Sequence, residues 1–275
     1  MINSIGAAWL AAQQRIDRLD ARLLIQHVAG CRHADFIARP ELPLSLEQLA
    51  RLEILISRRA DGEPLAYLLG SAEFYGREFA VSPAVLIPRP ETEGLVTLAL
   101  DRVKGMESPR ILDLGTGSGI IAVTLALEKP GARVTAVDVS PEALEMARGN
   151  AERLGARVDF RLGSWFGTVA GERFDLIVSN PPYVALGDPH LEQNGLPFEP
   201  QIALTDGVAG AGGLACIRAI VGGAPEHLEP GGWLLFEHGY DQGEDSRNLL
   251  QGMQFKCILT QRDLAGIDRI SGGQI

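Results

Sequence analysis

The chain has 275 residues, 46% of them hydrophobic, and this length is comfortable for two domains with a sizeable core. Its formal net charge of −10 argues against a surface that wraps a polyanion, and the sequence shows neither the basic segment of a signal peptide nor an apolar run long enough for a membrane span. The three cysteines form no CxxC pair and the five histidines show no metal-ligand spacing, so we expect a soluble cytoplasmic protein without a bound metal.

Helical periodicity dominates the first 75 residues. Apolar residues recur at intervals of three and four from Ile5 to Leu19, Gly30 stands where a second helix would end, and the sequence SLEQ from Ser45 has the form of a capping box. No segment alternates as a strand would. We therefore predict a small helical bundle over residues 1–75.

A change of pattern follows at residues 74–88. The sequence FYGREFAVSPAVLIP alternates apolar and polar residues around Gly76 and Pro83, which is typical of a short hairpin. We assign residues 76–90 to a β-hairpin linker. Pro90 then stands at a favourable first position of the next helix.

Strands and helices alternate through the remaining residues, 91–275. The segments typical of buried strands are RILDLG, RVTAVDV, VDFRLG, FDLIVSN, WLLFEH and FKCILTQR. Helical stretches lie between them, and Ser140 with Pro141 is a strong helix start. This alternation predicts an α/β domain with a mainly parallel sheet and helices on both of its faces.

A glycine-rich turn, LDLGTGSGIIA at residues 112–122, follows the first of these strands. Gly115, Gly117 and Gly119 let the backbone turn tightly and approach a ligand at the carboxyl edge of the sheet. Asp138 ends the next strand, where a carboxylate can accept hydrogen bonds from both ribose hydroxyls of an adenosine. These features predict a cofactor that contains adenosine.

Two cofactors compete for this turn. Gly117, Gly119 and Ala122 satisfy the loose G-x-G-x-x-G/A pattern of NAD-binding proteins. S-adenosylmethionine is favoured, because the charge of Asp113 inside the turn would oppose a pyrophosphate but suit the ammonium group of a methionine moiety. No evident acid or base for hydride transfer is present either. Trp165, after the third strand, is predicted to pack on the adenine ring, with a role in the core as its alternative.

The sequence SNPPYV, residues 179–184, lies at the end of the strand FDLIV. An amide nitrogen is a poor nucleophile because its lone pair is delocalised. The side-chain oxygen of Asn180 and the carbonyl oxygen of Pro181 can each accept one N–H of a planar –NH₂ group, which makes the lone pair available. Pro181 and Pro182 fix the backbone, and Tyr183 is predicted to pack on the flat face of the substrate group. The motif therefore predicts methyl transfer to such a nitrogen.

Together these motifs resemble the class I S-adenosylmethionine-dependent methyltransferases, whose domain is Rossmann-like. Over nearly its whole length the chain is similar to the release factor glutamine methyltransferases, also called the HemK or PrmC family. The similarity is carried by GEPLAYLLGSAEFYGREFAVSPAVLIPRPETE, DLGTGSG, SNPPYV, FEP, LLFEHG and DLAGIDR. NPPY alone is shared with adenine and guanine amino-methyltransferases, whereas IPRPETE combined with a helical N-terminus is much more specific.

The resemblance implies methylation of the side-chain amide nitrogen (N5) of the glutamine in the Gly-Gly-Gln motif of class 1 peptide chain release factors. Residues 1–75 would then dock the release factor. Asn180, Pro181 and Tyr183 would be catalytic, and with Pro182 they would bind the substrate amide. Together with Asp113, the residues expected to bind the cofactor are Gly115, Thr116, Gly117, Ser118, Gly119, Asp138, Trp165 and Asn180.

Three features depart from the family pattern and concern the substrate lid. They are Pro197 in QNGLPFEP, Ile267 in DLAGIDR and the loop GVAGAGGL, which lacks acidic residues. The roles of four further residues stay open between a structural and a site-shaping function: Arg89, Glu91, Glu93 and His238.

Two other classes of function compete with this one. A nucleic-acid exocyclic-amine methyltransferase of the adenine type is the alternative, but phosphate contacts would supply most of its affinity and the chain is acidic. A cofactor-binding interaction protein without catalysis has no use for both the glycine turn and NPPY. We therefore expect a monomer whose partner is a release factor, with no direct contact to nucleic acid or membranes.

The chain ends in SGGQI, so Gly272, Gly273 and Gln274 repeat the order of the implied substrate motif. Coincidence is the preferred interpretation. The alternative is that this tail visits the active site as a weak self-substrate.

Overall fold

The computed structural model describes residues 4–275, so residues 1–3 of the predicted 1–75 domain lie outside the described part of the chain. The chain divides into two compact units. The first contains the residues up to Ser71 together with Glu192–Phe198, and the second contains the rest. Within residues 4–275, no helix is long and apolar enough to cross a membrane.

The first unit is helical. Its helices are α1 Ile5–Ala12, α2 Arg18–Ala29, α3 Asp35–Ala38, α4 Leu46–Ala60 and α5 Leu65–Leu69. Ser45 and Gln48 form the predicted capping box at the start of α4, and Gly30 ends α2 in the left-handed conformation. Leu24 and Ile25, both fully buried, lie in a core that this unit forms by itself.

The hairpin lies earlier in the chain than the predicted linker at residues 76–90. It consists of β1 (Ser71–Phe74) and β2 (Arg77–Ala80), and no strand occurs from there to the next helix. Phe74 and Phe79 are buried in a core cluster of the second unit. The alternation of apolar and polar residues therefore belongs to these two strands. The segment after them contains prolines, which have no backbone N–H to donate to a neighbouring strand.

A seven-stranded sheet forms the centre of the second unit. Its strands are β3 Arg110–Leu114, β4 Arg133–Asp138, β5 Val158–Leu162, β6 Phe174–Ser179, β7 Leu228–Glu237, β8 Lys256–Arg262 and β9 Asp268–Gln274. Their order in space is β5-β4-β3-β6-β7-β9-β8, in which β9 runs antiparallel to both neighbours and the first five strands are parallel. The predicted mainly parallel sheet is confirmed. The order reverses between β3 and β6, where open α/β sheets bind ligands.

Helices cover both faces of this sheet, as predicted. They are α6 Thr92–Arg102, α7 Ile120–Glu128, α8 Pro141–Leu154, α10 Ala215–His227 and α11 Gly243–Gly252, while α9 Gln201–Leu204 lies in the connection between β6 and α10. In β6, Val178 packs in the same cluster as Leu95 of α6, whereas its neighbour Ile177 packs in the cluster of Ile217 of α10. Because successive strand residues point to opposite faces, α6 and α10 lie on opposite sides of the sheet.

The C-terminal Gly-Gly-Gln lies within the sheet, in β9, between β7 and β8. The Gln274 side-chain nitrogen donates a hydrogen bond to the Gly231 carbonyl at 2.8 Å. A Cβ added to Gly272 would lie 2.4 Å from the Leu234 carbonyl oxygen, so the close strand packing requires glycine. Its position in β9 supports the preferred interpretation that the likeness to the substrate motif is a coincidence.

Candidate active site

A cavity of about 560 Å³ lies at the carboxyl ends of β3, β4 and β6. Its size is that of a small-molecule site. The predicted residues that line it are Gly115, Thr116, Gly117, Ser118, Asp138, Trp165, Asn180 and Pro182. The structure thus brings together most of the predicted site. The predicted residues that do not line the cavity are Asp113, Gly119, Pro181 and Tyr183.

The glycine turn begins where β3 ends. Gly115, Gly117 and Gly119 have φ angles of 74°, 55° and 84°, a left-handed conformation that glycine adopts without steric cost. The Gly115 N–H donates to the Val137 carbonyl at 2.8 Å, which ties the turn to the end of β4. Gly119 serves packing, because a Cβ there would lie 3.0 Å from the Cβ of Ala147 in α8.

Asp138 is held by two backbone donors. Its Oδ2 accepts from the Gly117 N–H at 2.8 Å, and its Oδ1 accepts from the Ser140 N–H at 2.9 Å. A carboxylate has about four lone-pair sites, so each oxygen keeps one for a further donor. Asp138 is therefore a preorganised acceptor for a pair of neighbouring hydroxyls in the cavity.

Trp165 has a φ of 44°, a conformation that is costly for a residue with a side chain. The tryptophan lines the cavity, and part of its ring packs in a core cluster. It therefore combines the two roles that the sequence left as alternatives, since it offers a flat wall to a ligand and also contributes to the core.

Asp113 lies behind the turn and does not line the cavity. The sequence predicted instead that its carboxylate would contact the ammonium group of the cofactor. Its Oδ2 accepts from the Thr116 hydroxyl at 2.6 Å and from the Ala122 N–H at 3.2 Å, while its Oδ1 has no hydrogen-bond partner among the described residues. Burial of this carboxyl, which is fully inaccessible, raises its pKa to about 7. The loop's own donors therefore hold Asp113 inside the turn.

The Asn180-Pro-Pro-Tyr183 motif begins directly after β6. Asn180 is half-buried on the cavity wall, and Pro181 is buried next to it. The Asn180 amide nitrogen donates to the Thr92 hydroxyl at 3.2 Å. No described residue donates a hydrogen bond to Asn180 Oδ1 or to the Pro181 carbonyl oxygen. Asn180 Oδ1 is therefore an available acceptor on the cavity wall, and the carbonyl oxygen of the adjacent Pro181 also has no donor.

Side chains from other elements fix the backbone of this motif. The Ser179 hydroxyl donates to the Leu114 carbonyl at 2.7 Å, which joins the end of β6 to the end of β3. The buried Gln242 donates to the Tyr183 carbonyl at 2.9 Å. Gly213 packs against the same carbonyl, and a Cβ there would lie 2.0 Å from its oxygen. The motif is thus clamped at both ends.

Sequence reasoning missed two residues behind the motif, Thr92 and Glu237. The Glu237 carboxylate accepts from the Thr92 hydroxyl at 2.7 Å and from the Tyr183 hydroxyl at 2.9 Å. Burial raises the pKa of Glu237 and is also the largest cause of the raised pKa of the Tyr183 hydroxyl. Glu237 could have been found from the sequence, because it is an acidic residue at the end of the apolar run WLLFE. No sequence feature marks Thr92.

None of the four residues whose roles the sequence left open lines the cavity: Arg89, Glu91, Glu93 and His238. Arg89 forms an ion pair with the buried Glu199 at 2.5 Å, and Glu93 accepts from the Tyr75 N–H at 2.8 Å. His238 is fully buried, and burial lowers its pKa. Pro197 and Ile267 also lie away from the cavity wall. Arg89, Glu93 and His238 therefore act as structural contacts around the site.

Comparison with known proteins identifies the family of the chain. The PrmC N-terminal domain matches residues 6–70, and the methyltransferase small domain matches residues 95–193. A release factor glutamine methyltransferase of Bordetella pertussis is 51% identical over 267 residues, covering 97% of this chain and 98% of that protein. One of Neisseria gonorrhoeae is 50% identical over 270 residues, covering 97% and 96%.

Solved structures share the fold. A methyltransferase from Pyrococcus furiosus aligns with a TM-score of 0.52 at 22% identity, covering 83% of this chain and 97% of that one. At this identity the likeness shows the architecture alone. The relatives that match along their full length show more: the chain belongs to the release factor glutamine methyltransferase family.

Proposed function

We propose that this protein transfers a methyl group from S-adenosylmethionine to the side-chain amide nitrogen (N5) of the glutamine in the Gly-Gly-Gln motif of class 1 peptide chain release factors. The observation that carries the proposal is the pair of unpaired oxygens, Asn180 Oδ1 and the Pro181 carbonyl, at the end of β6. The full-length relatives named for this activity support the same conclusion.

The cavity residues fit the adenosine half of this cofactor. Asp138 keeps lone pairs for two ribose hydroxyls, and Trp165 offers its flat face to adenine. The left-handed glycines, Gly115 and Gly117, leave the backbone open to close approach. When bound, S-adenosylmethionine supplies a methyl group that its sulfonium has already activated.

The remaining task of the protein is to make an amide nitrogen nucleophilic. Asn180 Oδ1 and the Pro181 carbonyl oxygen would each accept one N–H of the substrate –NH₂ group, which makes its lone pair available for methylation. The buried proline and the clamped backbone keep these acceptors fixed, and such orientation contributes up to about 7–11 kcal/mol. A neutral asparagine suffices because the nitrogen loses its proton only after it has become acidic.

We assign the docking of the release factor to the helical N-terminal residues, 1–75. Large apolar side chains of this unit are exposed and available for a protein partner, with Leu10 at 67%, Ile37 at 78% and Leu46 at 86%. A substrate that acts in translation places the enzyme in the cytoplasm. We infer a monomer that binds neither nucleic acid nor membranes directly, consistent with the net charge of −10.

The test incubates the protein with methyl-labelled S-adenosylmethionine and a class 1 release factor, DNA or RNA. We expect label on the release factor alone, at its Gly-Gly-Gln glutamine by mass spectrometry. A release factor with that glutamine replaced by alanine is the control and should stay unlabelled. Label on nucleic acid without label on the release factor would overturn the proposal in favour of the amino-methyltransferase alternative.

A further inference from the structure

One buried carboxylate connects the first and last residues of the Asn180–Tyr183 motif. Glu237, at the end of β7, is 1% exposed. Its Oε1 accepts from the Tyr183 hydroxyl, and its Oε2 accepts from the hydroxyl of Thr92 at the start of α6. Thr92 in turn lies 3.2 Å from the amide nitrogen of Asn180. The chain of contacts therefore runs from Glu237 through Thr92 to the cavity wall.

The number of hydrogens that Glu237 and Thr92 can donate decides the orientation of the Asn180 amide. An ionised carboxylate only accepts, and a threonine hydroxyl has a single hydrogen to donate. Because Thr92 donates that hydrogen to Glu237, it can only accept from Asn180. The –NH₂ end of the amide therefore faces Thr92, and its oxygen faces the side where no described residue donates to it.

The opposite orientation would disable the site. An asparagine amide is nearly symmetrical in shape, so packing alone does not distinguish its oxygen from its nitrogen. A flipped Asn180 would present two N–H donors to the two N–H donors of the substrate amide. A donor that faces a donor leaves both groups without a hydrogen bond and gives no acceptor for the substrate.

We propose that Glu237, acting through Thr92, is a positioning residue that fixes the Asn180 amide with its oxygen toward the substrate nitrogen. The inference rests on the proposed function of this site. Glu237 itself touches neither substrate nor cofactor, since it does not line the cavity. Its role is to provide the acceptor that orders the hydroxyl of Thr92.

The charges around Glu237 bear on this role. Burial raises the pKa of Glu237 and Glu91 adds to the rise, whereas Arg269 and the hydroxyls of Thr92 and Tyr183 lower it. The net direction is a raised pKa with burial as its largest cause, while the two hydroxyls and Arg269 act toward the ionised form, which only accepts. Without these partners, burying an ionised carboxylate at this position would greatly lower the stability of the folded protein.

The experiment compares Thr92→Val, which keeps the shape but removes the hydroxyl, with Thr92→Ser, which retains it. Steady-state kinetics on a class 1 release factor should show kcat about ten- to a hundredfold lower for Thr92→Val, with KM nearly unchanged. Thr92→Ser should stay within about threefold of the wild type. Glu237→Ala, which removes both acceptor oxygens, should lower kcat in the same way.

Thr97→Val is the matched control, since Thr97 is an exposed threonine of the same helix that bonds only within α6 and to Tyr75. It should leave kcat unchanged.

The cofactor dissociation constant and thermal midpoint of each variant show whether it is folded. Should Thr92→Val not fold, Thr92→Ala takes its place beside Thr92→Ser. Wild-type kcat in the variant without the hydroxyl, or an equal loss in Thr92→Ser, would overturn the inference. An inactive wild type would speak against the proposed function instead.

Discussion

At the scale of single residues, uncharged acceptors begin the Asn180–Tyr183 motif, and two carboxylates are buried behind the cavity wall. Asn180 and Pro181 provide the unpaired acceptors, whereas Asp113 and Glu237 are buried and hydrogen-bonded to hydroxyls. Two carboxylate residues, Asp138 and Asp206, line the cavity. The uncharged acceptors suit an amide substrate, because a neutral acceptor binds the –NH₂ group without trapping a positive charge on it.

Replacing Asn180 by alanine removes one of the two acceptors but leaves the glycine turn and Asp138 in place. We expect kcat to fall by about 10²–10³-fold, the usual effect of losing one preorganised hydrogen bond to a transition state. The cofactor dissociation constant, measured by calorimetry, should change by less than about tenfold. Asn248→Ala, on the exposed side of α11, is the control. Near-normal turnover of Asn180→Ala would contradict the acceptor role.

Asp113 should make the free energy of unfolding depend on pH. Its pKa is raised from 3.8 to about 7 in the folded protein, so the folded state binds the proton more tightly than the unfolded state. The free energy of unfolding therefore decreases as pH rises between these values, by up to about 1.4 kcal/mol per pH unit. Asp113→Asn should lack this component in urea titrations. Identical pH slopes for the two proteins would show that Asp113 does not carry it.

At the scale of elements, glycine determines which strands and helices can approach each other. Gly119 lets the start of α7 lie against α8, and Gly272 lets β9 lie against β7. The nearest atom is the Cβ of Ala147 at Gly119 and the backbone oxygen of Leu234 at Gly272, and neither can turn away as the end of a long side chain can. The two glycines therefore set the spacing of elements around the sheet, independently of any contact with a ligand.

Gly272→Ala tests this packing in β9. The added Cβ would lie 2.4 Å from the Leu234 carbonyl oxygen, so we expect the free energy of unfolding to fall by about 1–3 kcal/mol. Gly149→Ala, at an exposed position of α8 with open space around it, should raise it by about 0.5–1 kcal/mol. Denaturant unfolding of both variants gives the comparison. A neutral Gly272→Ala would mean that β9 can shift away from β7.

At the scale of the whole molecule, the boundary between the units differs from the boundary that composition suggested. Phe74 and Phe79 of the hairpin belong to the core of the second unit. The first unit, conversely, includes Glu192–Phe198, a segment of the long connection between β6 and α10. The helical unit therefore contains two segments of the chain, and the second is inserted in the sequence of the other unit.

Two deletions follow from this boundary. Removing residues 1–70 keeps β1, whereas removing residues 1–75 also takes Phe74 from the core, so we expect a clearly lower thermal midpoint for the second deletion. The 1–70 deletion should lower kcat/KM on a whole release factor much more than on a short Gly-Gly-Gln peptide. Its cofactor affinity should be preserved. Equal losses on both substrates would contradict docking by the helical unit.

The sequence by itself determined the features that depend on neighbours along the chain. The capping box at Ser45, the helix end at Gly30, the parallel strands and the glycine turn all follow from local backbone preferences and short-range periodicity. The same local patterns placed Asn180 at the end of a strand, so the glycine turn, Asp138, Trp165 and Asn180 could be predicted as parts of the cavity wall. Gly272 and Gly273 were not predicted to lie in a strand, since a glycine pair gives no strand signal until its neighbours are known.

Only the tertiary structure decided what lies behind the cavity wall. Thr92, Tyr183 and Glu237 come from three separate elements, and their hydrogen bonds exist because the fold brings the ends of α6, β6 and β7 together. The inward position of Asp113 was likewise set by donors of the folded turn. Hydrogen-bond direction depends on which donors surround a group in three dimensions, and local sequence patterns do not contain that information.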